Sequence, residues 1–232
     1  MPIRSLAAVL FVLLAGVRPA SASFLVIGSN PTTELTVPFG TAGDGSSPSD
    51  RYQQVFAASL FRGPIAITAL TFYAQGQGAG GVYNQVTYNF NLSTTTVSVG
   101  GLNSTNLAAN VGSNVARFAS VNPTGNAPSS WTIDGSTPFF YDPSRGNLLL
   151  DIQIVGQRVD AGFLGAGFDG QADFGGRSSS ADNFGGNIAS SGLSLGVTFN
   201  AVPEPSSLTL GLIGGALASV LLRRRATQSA HR

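Results

Sequence analysis

The chain has 232 residues, no cysteine, no lysine, one histidine and a formal net charge of +1. Six of its twelve arginines (Arg4, Arg18, Arg223, Arg224, Arg225 and Arg232) sit near the two ends, so residues 23–201 hold six arginines against ten acids, a net charge of −4. The missing thiols exclude disulfides and thiolate-bound metals, and a mildly acidic body lacks the basic surface that nucleic acid requires of a partner.

In chain order, Arg4 precedes the apolar run Leu6–Val17, and Ala20-Ser21-Ala22 puts small residues where a signal peptidase reads. Residues 1–22 are therefore expected to be a secretory signal peptide, cut between Ala22 and Ser23. Residues 23–201 then form one exported domain, long enough to bury a core.

Within that domain Phe24–Ile27 reads as a short strand, followed by Leu35-Thr36-Val37 and a polar loop from Gly40 to Asp50. Tyr52–Leu60 and Ile65–Ala74 read as strands parted by a turn at Arg62-Gly63-Pro64, and Gln75–Gly81 as a loop. Next, Val86, Tyr88, Phe90 and Leu92 alternate with Thr87, Asn89 and Asn91, which predicts one buried and one wet face. Thr94–Val99 is expected to continue the sheet after a bend, and Leu102–Val111 to hold a helical turn capped by Ser104 and stopped by Gly112.

Val115–Val121 is the next predicted strand, and Asn122–Ser130 a Pro/Gly/Ser connection. Trp131-Thr132-Ile133 and Phe139-Phe140-Tyr141 flank a turn-rich link, Asp134–Pro138. Asn147–Val155 is the most apolar segment, with Leu148, Leu150, Ile152 and Ile154 on one side and Leu149, Asp151, Gln153 and Val155 on the other. Being apolar on both sides at its start, it suits a central strand, with Asp151 on the wet face. Leu193–Asn200 closes the domain, with Leu193, Leu195, Val197 and Phe199 inward. Many short strands without a long amphipathic helix predict an all-β fold, an antiparallel, jelly-roll-like β-sandwich. A β-solenoid is the alternative, against which the lack of a steady repeat counts.

Chemistry is sparse. Gly162–Gly186 collects Gly, Ser, Phe and acids, so Asp169 and Asp173 are candidates for a calcium loop, although the spacing fits no EF-hand or nonapeptide repeat. Asp and Gly making turns is the plainer account. The only histidine, His231, lies beyond the domain, which leaves no Ser-His-Asp, Cys-His or His-ligated metal site there. A carboxylate pair of the glycosidase kind is the remaining enzymatic option, and most of the acids sit beside turn residues. No enzyme and no cofactor is expected. Trp131 and Tyr141, with Phe139 and Phe140, are candidates for stacking sugars, against the plainer reading that they fill the core.

The tail, residues 202–232, has three parts in order: Val202-Pro203-Glu204-Pro205, an uncharged apolar run Leu208–Leu222, and Arg223-Arg224-Arg225. The prolines resist helix and sheet, the apolar run is at the short end of the ~17–25 residues that span a bilayer, and the arginines hold the end in the cytoplasm. This order resembles the PEP-CTERM sorting signal. The resemblance implies that Pro203, Glu204 and Pro205 form the box recognised by exosortase, that a single transmembrane helix anchors the chain in the inner membrane before processing, and that the host is a Gram-negative bacterium making exopolysaccharide. The expectation is an exported surface or extracellular-matrix protein with a structural or adhesive role. The alternatives are a carbohydrate-binding envelope protein, or a plain membrane-anchored periplasmic domain that is never cut.

Overall fold

A computed structural model of the chain describes residues 22–27, 33–35, 38–39, 51–73, 83, 86–156, 168–171, 178–182, 188–189, 192–193 and 195–201. Among them no helix is long and apolar enough to cross a membrane. The apolar run Leu208–Leu222 and nearly all of the signal-peptide segment lie outside the described residues, as do the loops predicted at Gly40–Asp50 and Gln75–Gly81.

The strands are β1 (Ala22–Ile27), β2 (Thr33–Leu35), β3 (Arg51–Phe56), β4 (Ile65–Tyr73), β5 (Thr87–Thr95), β6 (Ala116–Val121), β7 (Ser130–Tyr141), β8 (Asn147–Val155), β9 (Phe168–Gln171), β10 (Ser178–Asp182), β11 (Ile188–Ala189), β12 (Gly192–Leu193) and β13 (Leu195–Ala201). They pair antiparallel into a four-stranded sheet of order β1-β13-β4-β7, a six-stranded sheet of order β11-β10-β3-β8-β5-β6, and a three-stranded sheet of order β12-β9-β2. The chain changes sheet from β3 to β4, β4 to β5, β6 to β7 and β7 to β8.

Alternation explains which faces meet. Tyr88, Phe90 and Leu92 on β5, Leu148, Leu150, Ile152 and Ile154 on β8, and Tyr52 and Phe56 on β3 share one core with Ile65, Ile67, Leu70 and Phe72 of β4 and Leu195 and Val197 of β13. Aromatic rings knit the two sheets: Phe72 lies 5.8 Å from Phe90, Trp131 6.0 Å from Phe90, and Phe39 5.1 Å from Phe72. A fully buried leucine such as Leu150 contributes a few kcal/mol here, and its truncation to alanine costs about 2–5 kcal/mol.

Asn147–Val155 is the central strand its pattern predicts, flanked by β3 and β5. Leu149, on its other face, enters a second small core with Val55, Leu102 and Leu107, which explains why the strand begins apolar on both sides. That core lies under residues 96–114, within the segment joining β5 to β6. The β5 strand ends at Thr95, so Thr96–Val99 departs from the predicted strand. Instead Val97 and Val99 pack onto the second core, and the predicted helical turn is a 3-10 turn at Leu107–Asn110 without a side-chain cap. Asn103, in place of Ser104, organises the approach by accepting from the amides of Thr105 and Asn106 at 3.0 and 2.8 Å. Gly112 lies so close to Thr94 that a Cβ there would collide with the Thr94 carbonyl.

Two further expectations are corrected. Asp134–Pro138 is part of β7 and not a link between strands. The register jumps here from Ile67↔Phe139 to Ala69↔Asp134, so four residues of β7 bulge against one of β4. Gly135 lets the Phe118 ring of β6 sit against the bulge, and the Ser136 hydroxyl donates to the Phe118 carbonyl at 3.2 Å. The second correction is the outer face of β5: Asn89, Asn91, Ser93 and Thr95 are buried and not wet.

Candidate functional site: a polar cleft beside the covered sheet face

Antiparallel register lines up the outer-face residues of the six-stranded sheet in rows. One row runs Gln53, Asp151, Asn91 and Arg117, and its neighbour runs Arg51, Gln153, Asn89 and Ser120. The adjoining Val55, Leu149 and Ser93 row lies under segment 96–114. The apolar half of the face is covered and the polar half borders an open cleft of about 490 Å³, lined by Arg51, Asn91, Val111, Val115, Arg117 and Gln153 among others.

Asp151 anchors these rows at 1 % exposure. Arg51 grips it side-on, Nε to Oδ1 at 2.6 Å and Nη2 to Oδ2 at 2.8 Å, the bidentate geometry that strengthens a charge-assisted pair. Gln53 Nε2 adds a bond to Oδ1 at 3.1 Å, while Asn91 and Gln153 make long contacts to Oδ2 at 3.5 Å. An ionised carboxylate accepts about four hydrogen bonds, so this one is saturated and has no lone pair in reserve for chemistry. Gln53 also pins the cover: its Nε2 donates to the Leu107 carbonyl at 2.9 Å and its Oε1 accepts from Asn110 Nδ2 at 2.8 Å.

Arg117, exposed on the edge strand β6, differs from Arg51. Its Nε donates to Asn91 Oδ1 and its Nη1 to Asn89 Oδ1, each at 2.8 Å. Asn89 Oδ1 also accepts from the Ser120 hydroxyl at 2.8 Å. Two buried amides thus fix the plane of the guanidinium, and among the described residues it meets no carboxylate.

None of these residues except Asp151 stands out in the sequence, and the pattern places Asp151 on a wet face. The available signal was that Asn89, Asn91 and Asp151 fall on one face of two strands that are otherwise apolar enough to be central.

The residues singled out by sequence are placed as follows. Trp131 is half-buried among Phe39, Phe72, Tyr83, Tyr88 and Phe90. Tyr141 is buried, stacked edge-on to Phe61 at 5.0 Å, and its hydroxyl donates to the Gly146 carbonyl at 2.8 Å. Burial, and then the Asp142 charge, push its pKa far up. Both rings are core components and make no sugar platform together; of the four aromatics considered, Phe140 alone is exposed. Asp169 lies in β9 in register with Glu34, and Asp173 is outside the described residues. Among the described residues no three His, Cys, Asp or Glu side chains gather as a metal site would require.

The two ends of the predicted exported domain lie side by side at one end of the four-stranded sheet. Ala22 pairs with Asn200 and Ser23 with Phe199 in the β1–β13 ladder, while Ala20 lies outside the described residues. Beyond Ala201, the residues Pro203, Glu204, Pro205, Arg223, Arg224 and Arg225 are also outside them. Residues 201–225 match a family model described as the PEP-CTERM protein-sorting motif. The chain carries a PEP-CTERM signal. Such a signal marks an exported protein, anchored in the membrane and then sorted to the surface, with exosortase as the processing partner. The match begins on the last residue of β13, so the PEP-CTERM signal follows the folded strand without a spacer. No curated protein and no solved structure matched the chain.

Proposed function

We propose that the protein is a non-enzymatic component of the cell surface or extracellular matrix of a Gram-negative bacterium, a jelly-roll-like β-sandwich that acts by adhesion or as structure. Signal peptidase frees Ser23, the tail holds the chain in the inner membrane, and exosortase cutting near Pro203–Pro205 releases the domain towards the exopolysaccharide layer. The observation that carries this reading is the PEP-CTERM signal joined directly to the last strand of the domain. The saturated Asp151, the one acid within an apolar central strand, supports a binding or structural role over catalysis, because a carboxylate fully engaged by donors is a poor nucleophile or base.

The test is the mass and both termini of the mature protein from its native host, with cell fractionation. A chain from Ser23 to about Pro203–Pro205, found outside the inner membrane, is the expected result. An intact Arg232 in the inner membrane would overturn the sorted-matrix reading and leave a membrane-anchored periplasmic domain.

A further inference from the structure

We propose that the cleft beside Arg117 binds a carboxylate-bearing saccharide, the acid pairing with Arg117 and a sugar hydroxyl with Gln153. Three observations converge. First, Arg117 is a cation that meets no carboxylate among the described residues, in a body of net charge −4. Its guanidinium is held by two buried asparagines, so the ordering entropy that a flexible arginine loses on binding has already been met by the fold. Second, Nε and Nη1 serve the asparagines, while Nη2 has no partner among the described residues and remains for a ligand oxygen.

Third, the rest of the cleft is suited to a sugar ring. Gln153 Oε1 has no partner among the described residues and accepts from a hydroxyl, and Val111 and Val115 give a small apolar wall for the C–H face of a ring. The neutralised Arg51–Asp151 pair adds no net charge, which leaves Arg117 as the local positive centre. An extended acidic peptide is the less suitable occupant. Sheet recognition of a peptide uses main-chain bonds at a strand edge, whereas the unpartnered groups here are side chains on a face. The inference deepens the surface-protein reading and rests on it for access to extracellular polymer.

The test uses the full chain in detergent and measures binding to polygalacturonate, to its fully methyl-esterified form, to dextran and to polyglutamate by titration calorimetry. Polygalacturonate should bind about tenfold or more tightly than the ester, the size of one charge-assisted hydrogen bond, and dextran should resemble the ester. Arg117→Gln should erase that preference; because it also removes the bonds to buried Asn89 and Asn91, the titration is run well below the variant's own melting temperature, with Arg117→Lys as the variant that keeps the charge. Arg117→Lys keeps the charge but loses the planar fork, and should lose most of the preference as well. Equal binding of acid and ester, or an unchanged Arg117→Gln variant, would overturn the inference; polyglutamate binding as tightly as polygalacturonate would reassign the cleft to acidic protein. Failure here with correct termini in the host leaves the sorting reading standing. Binding here with an intact tail in the inner membrane removes the sorting reading and keeps the cleft.

Discussion

Removing one member of the Arg51–Asp151 pair gives an asymmetric loss of stability. Asp151 is 1 % exposed and takes the two charge-assisted bonds at 2.6 and 2.8 Å, while the Arg51 side chain retains 19 % exposure at the margin of the cleft. Breaking a buried pair from one side costs about 3–5 kcal/mol, because an uncompensated charge is left in low dielectric. In Asp151→Ala the guanidinium can turn towards the cleft and hydrate, so the loss lies near ~3 kcal/mol. In Arg51→Ala the carboxylate cannot reach water, and the loss lies near ~5 kcal/mol, softened by the Gln53 bond and the long Asn91 and Gln153 contacts. Since 1 kcal/mol moves the melting point of a domain this size by roughly 2–4 °C, the two variants should melt about 6–12 °C and about 10–20 °C low. Replacing both residues, Arg51→Met with Asp151→Leu, should recover most of the loss, since a well-packed apolar pair matches or exceeds a buried ion pair. The assay is urea unfolding of the exported domain, followed by fluorescence of Trp131, the chain's one tryptophan and a half-buried reporter of the main core. Losses below ~1 kcal/mol, equal losses for the two single variants, or a double variant at the sum of the singles would refute the reasoning.

Gly112→Ala should cost about 1–3 kcal/mol, because its Cβ would meet the backbone carbonyl of Thr94, which cannot move aside. The damage should be local, seen as faster amide exchange across Leu107–Asn110 as the cover lifts. At alkaline pH, the tyrosines set the limit. Burial, then Tyr88, raises the pKa of Tyr83, and burial, then Asp142, raises that of Tyr141, both well above the ordinary 10.0. The folded chain therefore keeps protons that the unfolded chain releases, so stability is whole below that value and falls as pH rises beyond it. Urea midpoints on either side of it check the sign, and a midpoint that rises with pH would refute the assignment.

The central strands were legible and their surroundings were not. Asn147–Val155 is bounded in the structure as the pattern predicts, because a strand flanked on both sides and buried on both faces writes its burial into its own residues. The same rule misled at β5. Alternation reports that Asn89 and Asn91 differ from Tyr88 and Phe90, but a face of amides looks alike whether it meets water or a network of Arg117 and Asp151. The cover over the adjoining row comes from a segment whose own residues read as loop, so no local period announces it. Asp134–Pro138 read as a turn because Gly135 and Pro138 are turn formers. There the bulge supplied what those residues need while the strand carried on. The Arg117 cleft was illegible for a related reason: its polar parts come from four strands and meet through register, and its apolar wall comes from the segment between β5 and β6.

The β1–β13 ladder bears on the order of events during export. Among the described residues the first strand of the domain pairs only with the last, and β13 lies between β1 and β4. A chain that crosses the membrane N-terminus first delivers β1 at the outset and β13 at the end. The four-stranded sheet therefore has no partner for its first strand until nearly every residue of the domain has crossed. Until then Phe24 and Val26, still 54 % and 44 % exposed in the finished fold, lie on an unpaired strand, the kind of surface that invites aggregation. Closing this contact of very long sequence separation is slow compared with hairpin formation. On the sorting reading, a tail held in the membrane immediately after β13 would keep the emerging domain apart from its neighbours over just that interval.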